Sequence, residues 1–168
     1  MTVPTAYHQI GKFIVYFQHA EAAIDEILVL LANADDEAVR ILVNELEYAQ
    51  RLKTVDVMLA RFVDLQPEPD LSAKADFHKL MGELGRLCER RNDLVHSKYT
   101  SWFNIEGAPG LIRQNSKLRA SKGIREEAEE KLLPETFNGD LERIASALKE
   151  LEAFRLKVID WLYPDVQA

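Results

Sequence analysis

Apolar residues recur at three- and four-residue intervals along most of the chain, and this spacing defines its elements. Behind Pro4, the positions Ile10, Phe13, Ile14, Phe17, Ala20, Ile24, Ile27, Leu28 and Leu31 form one stripe and predict a long amphipathic helix ending near Asn33. A shorter helix is expected over 36–46, with Ala38, Ile41 and Leu42 as its apolar face. Tyr48, Leu52, Val55, Leu59 and Phe62 mark a third helix to about Asp64. Pro67 and Pro69 close it, because proline removes a backbone donor and clashes with the preceding turn. Asp70 or Ser72 is placed to cap a fourth helix, whose stripe reads Leu80, Leu84, Leu87, Arg91 and Leu94. A last helix runs from about Pro134 to Leu162 on Phe137, Leu141, Ile144, Leu148, Leu151, Val158 and Leu162, and Pro164 ends it.

The periodicity breaks after His96. Residues 99–105 are aromatic and β-branched, Gly107 to Gly110 form a turn cluster, and 111–115 can return as a second strand. Arg113, Lys117, Arg119, Lys122 and Arg125 follow with no acid among them, and Glu126, Glu127, Glu129 and Glu130 then reverse the sign. That basic run reads as a solvated loop or as an arm that contacts phosphates. The predicted fold class is therefore all-α: an antiparallel bundle of four to five helices with a small β-hairpin insert at about 99–115, in a single domain over 1–168.

Composition narrows the function. With 168 residues, 47% apolar and 29% charged, the chain is expected to fold as a packed globule. The net charge of −7 argues against broad coating of nucleic acid but leaves room for a local basic groove. The longest apolar run, 27–32, is too short to span a bilayer, and no secretory leader pattern opens the chain, so a cytoplasmic protein without membrane contact is expected. Cys88 is alone and flanked by Leu84 and Leu87, as a core thiol would be. His8, His19 and His78 lack ligand spacing with nearby acids, so neither metal nor cofactor is expected. Trp102 and Phe103 read as strand packing, or as base-stacking rings where exposed.

Two stripe positions are wrong for a core. Glu21 on the first helix and Arg91 on the fourth are charges of opposite sign on otherwise apolar faces, which predicts that they pair. Arg91 lies in the most chemically loaded stretch of the chain, Glu89 to Tyr99. At about 100° per residue, Arg91 falls within roughly 20° of the Leu80 direction and His96 about 160° from it, so the two diverge by about 140° on a regular helix. Asn92 and His96, four apart, share a face with Glu89, and Asn92 is placed to orient the imidazole. A titratable ring held by an amide, with a fixed cation nearby, suits acid/base chemistry on a phosphodiester.

Arg91-Asn92-Asp93-Leu94-Val95-His96 resembles the R-x4-6-H signature of the HEPN superfamily, the higher eukaryotes and prokaryotes nucleotide-binding domains. The resemblance implies an antiparallel helical bundle, a homodimer that brings two motifs together and, in many members, metal-independent RNA cleavage. It makes Arg91 and His96 the catalytic pair, with Asn92 in the accompanying polar position; the pairing read from the two stripes adds Glu21 as the support of Arg91. It also implies a toxin or phage-defence component, with RNA as substrate and a neutralising antitoxin or other protein as partner. Lys98, Tyr99, Arg113, Lys117 and Arg119 are the candidate RNA-binding residues. In one toxin branch a modified tyrosine lies two residues after the histidine; here Lys98 occupies that position and Tyr99 the next. A non-catalytic helical module that binds a nucleotide or protein is the rival expectation. A third is a bundle in which Arg91 only ties helices together.

Overall fold

The computed structural model describes residues 5–164. Helices α1 (Ala6–Ala32), α2 (Asp36–Asn44), α3 (Tyr48–Asp64) and α4 (Leu71–Val95) lead into strands β1 (Lys98–Phe103), β2 (Pro109–Arg119) and β3 (Ile124–Leu132), and α5 (Asn138–Leu162) follows a short 3-10 turn. The long helices begin and end close to where the apolar spacing put them. The all-α expectation is corrected: the described residues are mixed, forming five helices and a three-stranded antiparallel sheet in the order β1-β2-β3. The expected hairpin is β1 with the first half of β2. The basic stretch read as a loop or arm completes β2, turns, and starts β3.

The third strand has no apolar alternation to announce it, and Leu132 is its one buried residue. Its side chains meet β2 through charge: Arg113 stands opposite Glu130 and bonds it at 2.8 Å, and Arg119 reaches Glu126 at 2.8 Å, with Leu111 opposite Leu132 at the buried end. Gly123, at φ 64°, makes the left-handed turn that reverses the chain between the strands. Gly110 is needed for a different reason, since a Cβ there would lie 2.7 Å from the Leu132 carbonyl oxygen.

The chain divides into two compact units, one of 5–15 with Glu89–Arg143 and one of Tyr16–Cys88 with 144–164. The helical unit is built on Phe17, Ile24, Ile27, Leu52, Val55, Leu59, Val63, Phe77, Leu80, Leu84, Leu87, Ile144, Leu151 and Val158, all buried. Within it α3 and α4 run antiparallel, as the pairs Asp56 with His78 (2.6 Å) and Asp64 with Lys74 (2.8 Å) require. So do α4 and α5, joined by Phe77 on Phe154 (ring centroids 4.9 Å) and Asp70 with Lys157 (2.7 Å). Asp70 is the cap of α4: its Oδ1 accepts from the Ala73 amide at 2.9 Å and from the Ser72 hydroxyl at 2.7 Å.

Helix α2 departs from the expected face. Ile41 and Leu42 are 59% and 69% exposed, and Val43 is the buried residue. Asp35 caps the helix through the Ala38 amide, and Arg40 bonds Glu26 on α1 at 2.9 Å. The side carrying Val43 faces inward, and the apolar stripe of Ile41 and Leu42 is left outside.

Candidate functional site

The first unit assembles its polar side chains around the end of α4. The His96 amide still donates to the Asn92 carbonyl at 3.0 Å, so helical bonding persists one residue beyond Val95. The next carbonyls lack helical partners and are taken by side chains from the sheet. The Asp93 carbonyl accepts from Arg113 Nη1 at 3.3 Å and also from the Ser97 hydroxyl. Tyr99 donates its hydroxyl to the Leu94 carbonyl at 2.6 Å. Burial pushes the Tyr99 phenol up against the opposing charges of Arg113 and Arg90, which keeps it a proton donor.

Behind this turn lies a network of two guanidinium groups and two carboxylates. Arg90 grips Glu130 through Nη1 and Nη2 at 2.8 and 3.0 Å and Asp140 through Nε at 2.8 Å. Arg113 reaches the same Glu130 oxygen from Nε at 2.8 Å while its Nη1 donates to Ser97 Oγ at 3.1 Å. Arg113 is the buried charged residue of the described chain, 7% exposed. Burial opposes the Arg90 charge, and the hydrogen bonds to Glu130 and then Asp140 outweigh it, so its proton is held more firmly than usual. Glu130 shows the converse balance: burial would raise its carboxyl, and Arg90 and then Arg113 hold it low.

His96 stands outside this network and is exposed. Its ring has no hydrogen-bond or ion-pair partner among the described residues. The register that pairs Lys98 with Gln114, continued back two residues, brings His96 beside Ser116 at the edge of β2. Two clefts meet there. One, of about 440 Å³, is lined by Glu89, Asn92, Asp93, His96 and the β2 side chains Asn115 to Arg119 except Leu118. The other, of about 380 Å³, is lined by His96 and Lys98 with Gln114 to Ser116, Arg125 and Glu127 to Glu129. His96, Asn115 and Ser116 belong to both.

The sequence-predicted residues separate into groups. Asn92 and His96 share the larger cleft, as four-residue spacing requires. Arg91 does not line either cleft; it is half-buried and donates from Nη1 to Asn92 Oδ1 at 3.0 Å, so it touches the cleft wall through Asn92. Glu21 belongs to the other unit, half-buried on α1 within electrostatic range of the Tyr48 phenol. Lys98 is exposed and free of ion pairs among the described residues. Lys117 pairs with Asp93 at 2.6 Å and Arg119 with Glu126 at 2.8 Å. Arg113 and Tyr99 are turned inward to the end of α4. Phe103 is 65% exposed, and Trp102, half-buried, carries the Lys131 ammonium 5.3 Å from its ring centre.

Arg90, Glu130, Asp140 and Ser97 were missed. Arg90 adjoins Arg91, and helical spacing alone ranks Arg91 higher because it continues the Leu80 stripe. A signal for Glu130 was present: a basic run with Arg113, Lys117 and Arg119 at odd positions followed, across Gly123, by an acidic run over 126–130. Among the described residues no three His, Cys, Asp or Glu side chains converge to hold a metal ion, and no helix is long and apolar enough to cross a membrane.

The fold and site thus define a mixed helix-and-sheet protein with a solvent-facing histidine at the meeting of two polar clefts. No protein-family model, no curated protein and no solved structure matches the chain.

Proposed function

We propose that the protein is a metal-independent endoribonuclease of HEPN type that works as a homodimer, as a toxin or phage-defence component does. The observation that carries this reading is His96: an imidazole without internal partners, exposed where two clefts meet, with Asn92 one turn earlier on the same cleft and Arg91 bonded to Asn92. In this chemistry the RNA 2′-oxygen attacks the adjacent phosphorus and the bond from phosphorus to the 5′-oxygen breaks. The 2′-hydroxyl proton leaves to a base and the 5′-oxygen receives one from an acid; His96 serves one of these transfers. Arg91 meets the charge on phosphorus. On a regular helix Arg91 and His96 diverge by about 140°, and a two-fold dimer that sets Arg91 of one chain against His96 of the other completes the pair.

The test is cleavage of diverse RNAs in EDTA by the parent protein and by Arg91→Ala and His96→Ala, with folding checked by circular dichroism. Loss of cleavage by about a hundredfold or more in both folded variants is expected. Cleavage that survives His96→Ala, or a parent protein that cleaves none of the RNAs, rejects the enzyme.

One observation favours a second reading, a non-catalytic module that binds a nucleotide or protein. Lys117 and Arg119 are both tied to carboxylates, and Glu89 and Asp93 offset them, so the larger cleft is close to neutral rather than a basic track for a phosphate backbone. A silent parent protein that binds nucleotide in calorimetry supports that reading.

A further inference from the structure

The sequence counted Arg113 among residues that contact RNA, and the structure turns it the other way. Its side chain is 8% exposed, one nitrogen is fixed on Glu130, and another reaches both the Asp93 carbonyl and Ser97 Oγ. Asp93 is in the last turn of α4 and Ser97 is the residue after His96, so a single guanidinium holds the chain on both sides of the histidine. Glu130 is in turn held by Arg90, and Arg90 by Asp140 at the start of α5. A planar fork with donors in fixed directions can span these three acceptors, and an ammonium point charge cannot. We infer that Arg113 is a positioning residue for His96: anchored by Glu130, it pins the Asp93 carbonyl and Ser97 and so sets where the imidazole stands at the meeting of the clefts.

The inference rests on the reading of His96 as the proton-transfer group, and it separates from a role in RNA binding. A residue that grips phosphate changes KM and its salt dependence when removed. One that holds a catalytic ring in place changes kcat, because small displacements of a reacting group are costly in rate. With its side chain 8% exposed and its Nε and Nη1 bonded within the protein, Arg113 presents little of itself to a phosphate.

The experiment compares parent, Arg113→Met, Arg113→Lys, Ser97→Ala and the Arg113→Met/Ser97→Ala double variant in the full chain. RNA cleavage is followed over RNA concentration and salt, and the His96 ring signal, assigned with His96→Gln, by NMR. Arg113→Met is expected to lower kcat about tenfold, with KM and its salt slope unchanged within about twofold. Arg113→Lys keeps a charge near Glu130 but is expected to lose a similar factor. Ser97→Ala costs less alone, and its further cost in Arg113→Met is expected to be smaller than in the parent, since the two side chains share one contact. The His96 signal is expected to shift or broaden in both arginine variants. A rise in KM with a weakened salt slope and an unchanged kcat overturns the proposal, as does a His96 signal identical to the parent's. A parent protein without RNA cleavage, but with a His96 signal that moves in Arg113→Lys, rejects the ribonuclease and leaves the clamp standing. If Arg113→Met does not fold, Arg113→Lys and Ser97→Ala carry the same readouts.

Discussion

Replacing Glu130 by glutamine keeps the shape of the side chain and removes the charge that two guanidinium groups share. Arg90 retains Asp140 after the change, so its loss is partial. Arg113 has no second carboxylate; its side chain is 8% exposed, against 18% for Arg90 and 29% for Glu130, so a cation is left largely out of water with neutral acceptors alone, the Asp93 carbonyl, the Ser97 hydroxyl and the amide oxygen of the glutamine. Stranding a fully buried charge costs about 3–5 kcal/mol, while an exposed ion pair contributes under about 1 kcal/mol. The partial exposure of Glu130 places the expected loss between these, at about 2–3 kcal/mol. Urea unfolding of parent and variant, with equal slopes, measures it. A loss below about 1 kcal/mol refutes the account of the network, because it would mean that Arg113 is solvated without Glu130. Removing both charges, in Glu130→Gln with Arg113→Met, is expected to recover part of the loss. The same network sets a pH dependence. Burial alone would raise the Glu130 carboxyl, and the bonds and charges of Arg90 and then Arg113 hold it below its ordinary value of 4.5. A depressed carboxyl contributes stability that is fully present above that ordinary value and is lost as pH falls through the lower, folded one. Parent stability is therefore expected to fall below pH 4.5 more steeply than that of Glu130→Gln.

Other changes test separate parts of the structure. Asp70→Ala removes the cap of α4 and the ion pair to Lys157 together, so its melting temperature should fall, whereas Asp70→Asn keeps the Ala73 acceptor and should fall less. The Tyr48 hydroxyl is buried without a hydrogen-bond partner among the described residues, and its ring packs edge-on against Phe17 at 5.0 Å. Tyr48→Phe keeps the packing and should stabilise the protein by about 1 kcal/mol in urea unfolding; a loss of that size would reveal a partner for the phenol. Leu42→Lys on the outer face of α2 should leave the melting temperature nearly unchanged, against the marked drop expected of a core leucine.

Much of the helical scaffold was legible because burial there follows one rule that a sequence displays. Leu80, Leu84, Leu87 and Leu94 recur at helical spacing and are all buried, and Asp70 stands where a cap is needed. The same rule failed on α2, where nine residues carry too short a stripe to decide orientation and Val43, not Ile41 or Leu42, is the residue buried. Arg91, which continues the leucine stripe, is half-buried and places one guanidinium nitrogen on Asn92.

The sequence by itself determined where the long helices lie, that Asn92 and His96 share a face, and that the imidazole points away from the leucine stripe. These depend on residues within a turn or two of each other, whose geometry the backbone fixes locally. The tertiary structure decided the third strand and, with it, the surroundings of the histidine. Glu130 meets Arg90 forty positions away in the chain and Arg113 seventeen away. Their charges attract through space regardless of spacing, so periodicity could list them as basic and acidic but could not say that one arginine would hold the turn beside His96 rather than face the solvent.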